Sequence, residues 1–257
     1  MKICRFLYDD REMWGSFENG VIHPFPDSVR VPAAGAVPLS SEGIDPHFVQ
    51  FLPPANPSKI VCVGRNYAEH AAELGNAMPA EPLRFLKAPS ALITDGDSIV
   101  IPPRSAQVEH EGELAVVIAD RCSKLGEDDD PLSFVLGYTC LNDVTARDLQ
   151  RRDVQFTRAK SFDTFCPIGV FLETDADPAD LSVVCRVNGT VKQSGRTSQM
   201  AFPVDFLIRY ISNQMTLNAG DIIATGTPAG VSKLEPGDIC EVEIEGVGIL
   251  SNPVSNN

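Results

Sequence analysis

The chain has 257 residues, enough for one large domain or one domain with a small appendage. Its 21 Lys and Arg against 35 Asp and Glu leave a net charge of −14, which argues against nucleic acid and anionic membrane surfaces, since both reward clustered cations. At 43% hydrophobic it can build a full core, yet no apolar run reaches membrane-spanning length and the N-terminus does not read as a signal peptide.

Residues 1–55 read as a small β unit with a Pro-rich connector. Lys2 to Tyr8, Met13 to Glu18 and Gly20 to His23 are short strand candidates. Pro24, Pro26, Pro32, Pro38, Pro46, Pro53, Pro54 and Pro57 then exclude regular helix or central strand. Residues 56–257 form the main domain, opening on the apolar strand Ile60-Val61-Cys62-Val63. A short helix is expected over Tyr67 to Leu74, with Asn66 as N-cap, Glu69 three residues on and Gly75 as terminator. Further strands are expected at Ser98 to Ile101, Leu114 to Ala119 and Phe134 to Leu141. A second short helix spans Ala146 to Arg152. Strands follow at Ile168 to Leu172 and Ser182 to Val187, the latter turning through Asn188-Gly189 into Thr190-Val191-Lys192 as a hairpin. A third helix, Val204 to Ser212, is entered through Pro203. Strands at Ile222 to Ala224 and Ile239 to Ile244 complete the pattern, and Glu245-Gly246 marks another hairpin. Asp128-Asp129-Asp130 reads as a solvated loop. The seven cysteines are scattered without a C-x-x-C pair, and several sit in strand-like runs as small hydrophobes. That usage fits a reduced, cytoplasmic setting.

The most informative stretch is His110-Glu111-Gly112-Glu113-Leu114-Ala115-Val116-Val117-Ile118. Residues i and i+2 of a strand share a face, roughly 6.6 Å apart along the chain. Glu111 and Glu113 therefore project side by side at the mouth of an apolar strand, where bare carboxylates are costly. Asp143 ends the next apolar run and reaches the same place if the two strands are neighbours. A lone E-x-E pair is equally at home on a solvated strand face, but a strand buried on both sides favours a shared cation. Three carboxylates without clustered His or Cys favour Mg²⁺ or Mn²⁺, with Ca²⁺ as a further option, over Zn²⁺. Glu109 extends the alternation as a spare charge at the rim, and His110 points to the opposite face. His70 and Glu73, three apart on a short helix, share a face, and a carboxylate beside an imidazole makes a general base. The spacing alone fits an ordinary polar helix just as well. Lys160 taken alone is an ordinary surface lysine. Ala224-Thr225-Gly226-Thr227-Pro228-Ala229-Gly230 offers backbone N–H and hydroxyl donors to an anion, although a plain turn explains it equally and it is not a Walker A loop.

Taken together, GRNYAEHAAE (64–73), RFLKAPSAL (84–92), HEGELAVVI (110–118), GYTCLNDVTARDLQ (137–150), RAKSFDTFCPIG (158–169), MTLNAGDIIATGTPAGV (215–231) and PGDICEVEIEGVGIL (236–250) resemble the fumarylacetoacetate hydrolase family, in the family's order. The resemblance implies a mainly β, α+β fold: a mixed β-sandwich roll plus the small N-terminal β domain, assembled as a homodimer. It implies that Glu111, Glu113 and Asp143 bind Mg²⁺ or Mn²⁺, and that His70 and Glu73 activate water on a lid helix. Lys160, Arg147, Gln150 and Lys87 match positions that hold the substrate's carboxylate and oxo groups, and Thr227 with the Gly226 backbone matches a second anion contact. The implied substrate is a small anionic 2-oxo acid. The expected activity is metal-dependent C–C cleavage through a stabilised enolate, by acylpyruvate- or fumarylpyruvate-type hydrolysis or oxaloacetate-type decarboxylation. The alternative is an isomerase of the 2-hydroxyhepta-2,4-diene-1,7-dioate or 5-carboxymethyl-2-hydroxymuconate type, from aromatic catabolism. A different class, a non-catalytic fold with a structural calcium-type ion, requires a closed site.

Overall fold

The strand Gly112–Ile118 is buried at every position, as its run of branched and small apolar residues requires. Leu114, Val116 and Ile118 enter one apolar cluster, and Ala115 and Val117 enter another on the opposite face. The computed structural model describes residues 1–26 and 43–256. Pro32 and Pro38 of the expected connector lie outside the described residues.

Around this strand grows a ten-stranded sheet. On one side it pairs antiparallel with Val135–Asn142, which leads through Phe171–Glu173 to Lys2–Tyr8, Arg11–Glu18 and Val21–Pro24 at the edge, with Gln50–Leu52 also on Lys2–Tyr8. On the other side come Ile222–Ala224, Ile60–Gly64 and Leu83–Lys87. The N-terminal strands thus extend the sheet that carries the central strand, through Lys2 to Cys4 against Glu173 to Phe171.

A second sheet orders Thr190–Arg196, Ser182–Val187, Ile239–Ile244, Gly248–Asn256 and Ile99–Ile101. Val183, Cys185, Val242 and Leu250 from this sheet share a core with Leu114 and Val116 of the first. The helix Val204–Ser212 adds Leu207, Ile208 and Ile211 to that core. Each such fully buried aliphatic side chain stabilises the fold by about 1.5–3 kcal/mol. The architecture is mainly β with a few short helices, as the sequence indicates.

Several elements match their expected bounds, among them Lys2–Tyr8, Ser182–Val187, Val204–Ser212, Ile222–Ala224 and Ile239–Ile244. At the Asn188-Gly189 hairpin both residues have positive φ, 52° and 74°, the backbone that a two-residue turn of this kind needs. Other elements differ. The expected strand Ile168 to Leu172 is two short pieces, Cys166–Pro167 and Phe171–Glu173. Gly169 bends the chain between them, hard against Thr139, where a Cβ would come within 2.5 Å of the hydroxyl. The first helix is Ala68–Glu73 with Tyr67 at its N-cap, and Asn66 is no cap. The Asn66 side chain instead donates to Thr225 O at 2.7 Å and Phe202 O at 3.0 Å, which fastens the chain entering the helix to two distant segments. The strand Leu83–Lys87 and the one-turn helix Thr157–Lys160 are additions to the expected set.

Candidate active site

Antiparallel pairing sets Gly112 opposite Asn142 and brings the mouth of one strand to the end of the next. The Asp143 N–H donates to Glu111 O at 2.9 Å, and the Glu111 N–H donates to Asn142 Oδ1 at 2.9 Å. Register thus gathers the three acids that sequence spacing singled out. Glu111, Glu113 and Asp143 are all buried, and each offers a carboxylate oxygen within 4.8 Å of the others.

Three buried cations surround them. Lys160 Nζ bridges Glu111 Oε2 at 2.8 Å and Asp143 Oδ2 at 2.7 Å. Lys87 Nζ donates to Asp143 Oδ1 at 2.6 Å and Val144 O at 3.2 Å. Arg147 donates to Glu109 Oε2 at 2.6 Å, Glu111 Oε1 at 2.5 Å and Gln150 Oε1 at 2.6 Å. Glu109 is therefore no rim charge: it is buried, and it orients Arg147.

The acids are unequally served. Burial alone would raise the Glu111 carboxyl, but Lys160 and Arg147 hold it well below the ordinary value. Glu113 is driven the other way, by burial first and then by the charges of Asp143 and Glu111. Its own hydrogen-bond donor is neutral, the Gly226 N–H at 2.8 Å. Fully ionised, Glu109, Glu111, Glu113 and Asp143 would set four negative charges against three positive ones from Lys87, Arg147 and Lys160, an excess that the upward shift of Glu113 reflects. The Tyr67 hydroxyl is also buried without a hydrogen-bond partner among the described residues, close enough to Glu113 to feel its charge. An under-compensated carboxylate trio with oxygen ligands and an orphaned hydroxyl nearby fits a hard divalent cation. Glu111, Glu113 and Asp143 would hold it.

The trio opens into a cavity of about 350 Å³. His70, Glu73, Arg147, Gln150, Lys160 and Thr227 share its wall. His70 Nδ1 lies 3.2 Å from Glu73 Oε2, and Glu73 also accepts the Gly230 N–H at 3.0 Å. The helix is held against the Gly226 to Gly230 loop by this contact. Thr227 Oγ1 donates to Gly112 O at 2.8 Å and accepts from Gln193 Nε2 at 2.7 Å, so its hydroxyl is engaged within the protein. Lys87 and Gly226, expected to touch substrate, are not among the residues that line the cavity: the buried Lys87 ammonium is held by Asp143 and Val144, and the Gly226 N–H by Glu113. His110 is turned away, between Gln193 Oε1 at 3.0 Å and Ser232 Oγ at 2.9 Å, and burial lowers its pKa. Gln193, Tyr67 and the structural part of Glu109 escaped the sequence reading. A lone Gln on an exposed-looking strand carries no pattern that marks it.

A cavity lined by His70, Arg147 and Lys160 and ending in three buried acids has the make-up of an enzyme active site. The chain belongs to the fumarylacetoacetate hydrolase family: residues 59–255 match the model described as fumarylacetoacetate (FAA) hydrolase C-terminal. A mitochondrial oxaloacetate tautomerase of Bos taurus is 45% identical over 219 residues, covering 80% of this chain and 69% of that one. The 5-carboxymethyl-2-hydroxymuconate delta-isomerase of Mycobacterium smegmatis superposes with a TM-score of 0.90 at 38% identity, over 100% of both chains. Fumarylpyruvate hydrolase of Pseudomonas aeruginosa, solved with Mn²⁺ and pyruvate, gives a TM-score of 0.74 at 28% identity, over 85% of this chain and 93% of that one. Among the described residues no helix is long and apolar enough to cross a membrane.

Proposed function

We propose that this protein is a divalent-metal-dependent enzyme that cleaves a C–C bond in a small anionic 2-oxo acid, by acylpyruvate-type hydrolysis or oxaloacetate-type decarboxylation. The observation that carries the reading is the pairing of the under-compensated carboxylate trio with the His70–Glu73 dyad on one cavity. Glu111, Glu113 and Asp143 would hold the cation, with Mg²⁺ or Mn²⁺ the best chemical match, and it would supply Lewis acidity to the substrate's oxygens. Four acids with three cations and such an ion leave the buried cluster net positive, which suits an anionic substrate.

In the hydrolytic reaction, an acylpyruvate and water give pyruvate, a carboxylate and a proton. His70 takes the proton of the attacking water, and Glu73 orients the ring and stabilises the imidazolium. Lys160, held protonated by Asp143 and Glu111 against the effect of burial, adds positive charge where the oxyanion develops. Arg147 and Gln150 position the substrate at the cavity wall. The N-terminal β unit, the cytoplasmic setting and assembly as a homodimer belong to the same reading.

A second reading, proton transfer without bond cleavage, is favoured by the names of the tautomerase and isomerase relatives. The test is product analysis with Mg²⁺ or Mn²⁺ on an acylpyruvate, fumarylpyruvate, oxaloacetate and a 2-hydroxy-2,4-diene diacid. Release of pyruvate or CO₂ that stops with chelator and returns with metal is the expected result. A shift between enol and keto forms, or of a double bond, with no pyruvate or CO₂ would establish the second reading instead.

A further inference from the structure

The strand Thr190–Arg196 lies at the edge of the second sheet, and all but one of its residues are exposed or half-exposed. The exception is Gln193, which is fully buried. A register shift puts it there. Across the hairpin Arg186 faces Val191, but the next residue, Cys185, faces Gln193, so Lys192 is the extra residue of a β-bulge. In unbroken register Lys192 would lie opposite Cys185 on the core face and the Gln193 side chain would point to solvent, because strand side chains alternate. The departure from regular pairing thus delivers one amide to the interior.

Burying a primary amide is costly unless its two donors and two acceptor sites are used, and here all four are. Gln193 Oε1 accepts from the Gly112 N–H and from His110 Nδ1, both at 3.0 Å, and Nε2 donates to Thr227 Oγ1 at 2.7 Å and Pro228 O at 2.6 Å. The Pro228 carbonyl and the Gly112 amide admit only this orientation of the side chain. Thr227 Oγ1 donates in turn to Gly112 O at 2.8 Å. Three hydrogen bonds therefore close a ring through Gly112, Gln193 and Thr227. Gly112 is the residue between Glu111 and Glu113. The adjacent strand Ile222–Ala224 stops opposite Ala115, so it does not reach Gly112, whose N–H and C=O are held by the two side chains instead. The edge strand and the turn after Thr227 meet without slack: a Cβ on Gly195 would lie 2.6 Å from Pro228 Cβ, and one on Gly230 would run into Lys192 O. At the far end of that turn the Gly230 N–H holds Glu73.

We propose that Gln193 is a positioning residue for the cation-binding acids: by fastening Gly112 to the Thr227–Pro228 turn it fixes the stretch of backbone from which Glu111 and Glu113 both project, and with it their spacing. Two like charges on one strand face repel, and the Glu113 carboxylate receives a single neutral donor, so the backbone must hold the pair together until a cation arrives. Gln193 does not line the cavity and acts only through Gly112 and Thr227. Partners that orient metal ligands in this way are felt in metal affinity. This rests on the reading of Glu111, Glu113 and Asp143 as a cation site.

The test reads Mn²⁺ binding, by loss of the free ion's electron paramagnetic resonance signal and by the spectrum of the bound ion, beside thermal unfolding. Gln193→Met roughly keeps the volume and removes all four hydrogen bonds. It is expected to weaken Mn²⁺ binding about 10- to 100-fold and to alter the bound spectrum. Phe6→Leu, in the separate apolar cluster of Cys4, Phe6 and Ile22, is the comparison: it is expected to lower the unfolding temperature and leave Mn²⁺ affinity and spectrum as in the parent. Thr227→Val should reproduce part of the Gln193→Met effect, and Thr227→Ser, which keeps the hydroxyl, should bind Mn²⁺ as the parent does. The double variant Gln193→Met, Thr227→Val should bind little worse than Gln193→Met alone, because both open one ring. If Gln193→Met does not fold, the two Thr227 variants carry the same comparison. Parental affinity and spectrum in Gln193→Met, or equal loss in Thr227→Ser and Thr227→Val, overturns the inference and leaves the cation site standing. Equal weakening by Phe6→Leu would mark the effect as general destabilisation and likewise overturns it. Unsubstituted protein that takes up no Mn²⁺ overturns both.

Discussion

Two buried carboxylates stand at opposite ends of one three-residue strand, and their treatment differs. Asp221 precedes Ile222–Ala224 and Glu113 meets the loop that follows it, at Gly226. Asp221 is fully buried and accepts from Ser58 N at 2.9 Å, Ser58 Oγ at 2.7 Å, Lys59 N at 3.1 Å and Asn218 N at 2.7 Å, with the Lys59 ammonium against its second oxygen. Burial raises its pKa, but the Asn218 N–H, Lys59 and Ser58 outweigh that and lower it. Glu113 receives one neutral N–H, and its pKa is raised. A buried carboxylate that its own chain satisfies ties the fold together. One that its chain leaves short is where an external cation contributes most.

The largest effect should come from breaking the unsatisfied end. Glu113→Gln is expected to lower metal-dependent turnover by about a thousandfold or more, since it removes a charged ligand from the set. The metal-free variant should unfold no more easily than the parent, and about 1 kcal/mol less easily if the lost charge was poorly compensated. Chelator-treated samples compared by thermal unfolding, beside metal titrations, check both halves. A loss of stability comparable to a core defect would place Glu113 with Asp221 as a structural group.

Next comes the dyad above the same corner. His70→Ala is expected to cost about 10²- to 10⁴-fold in acylpyruvate hydrolysis with metal affinity kept. Glu73→Gln should cost less, because an amide still hydrogen-bonds the ring, and oxaloacetate decarboxylation should suffer less than hydrolysis in both variants. Hydrolysis at parental rates in His70→Ala would remove the water-activating role.

The satisfied end should respond in the opposite sense. Asp221→Asn is expected to destabilise by about 2–4 kcal/mol while turnover per folded molecule is retained. Because the folded-state pKa of Asp221 lies below its ordinary value of 3.8, its contribution is present above that value and is lost as pH falls through the folded-state value. The stability gap between parent and variant should therefore close in strongly acidic buffer, as denaturant titrations at several pH values would reveal. The smallest effect concerns groups with no place in either corner. All seven cysteines are free and buried, and burial pushes the Cys4 thiol up to about 12. A thiol reagent should label none of them in the native protein and all seven after unfolding.

Part of this contrast was already legible in the chain. The alternation of Glu111 and Glu113 at the mouth of an apolar run, and Asp143 at the end of the next, marked the acids, because a strand's period of two fixes which side chains share a face. Hairpin and helix boundaries near Asn188-Gly189 and Pro203 were equally local. Local signals also misled: Asn66 resembles an N-cap, but its side chain is drawn to Phe202 and Thr225, residues more than 130 positions away.

The sequence by itself determined the class of elements, the identity of the acids and, through seven motifs in order, the family. The tertiary structure decided which charges are compensated. Lys87, Lys160 and Arg147 are ordinary cations in the sequence, and only strand pairing and helix placement bury them against Asp143, Glu111 and Glu109. The physical reason is that periodicity and propensity act over a few residues, whereas desolvation and Coulomb interaction depend on distances in space that only the packed fold sets.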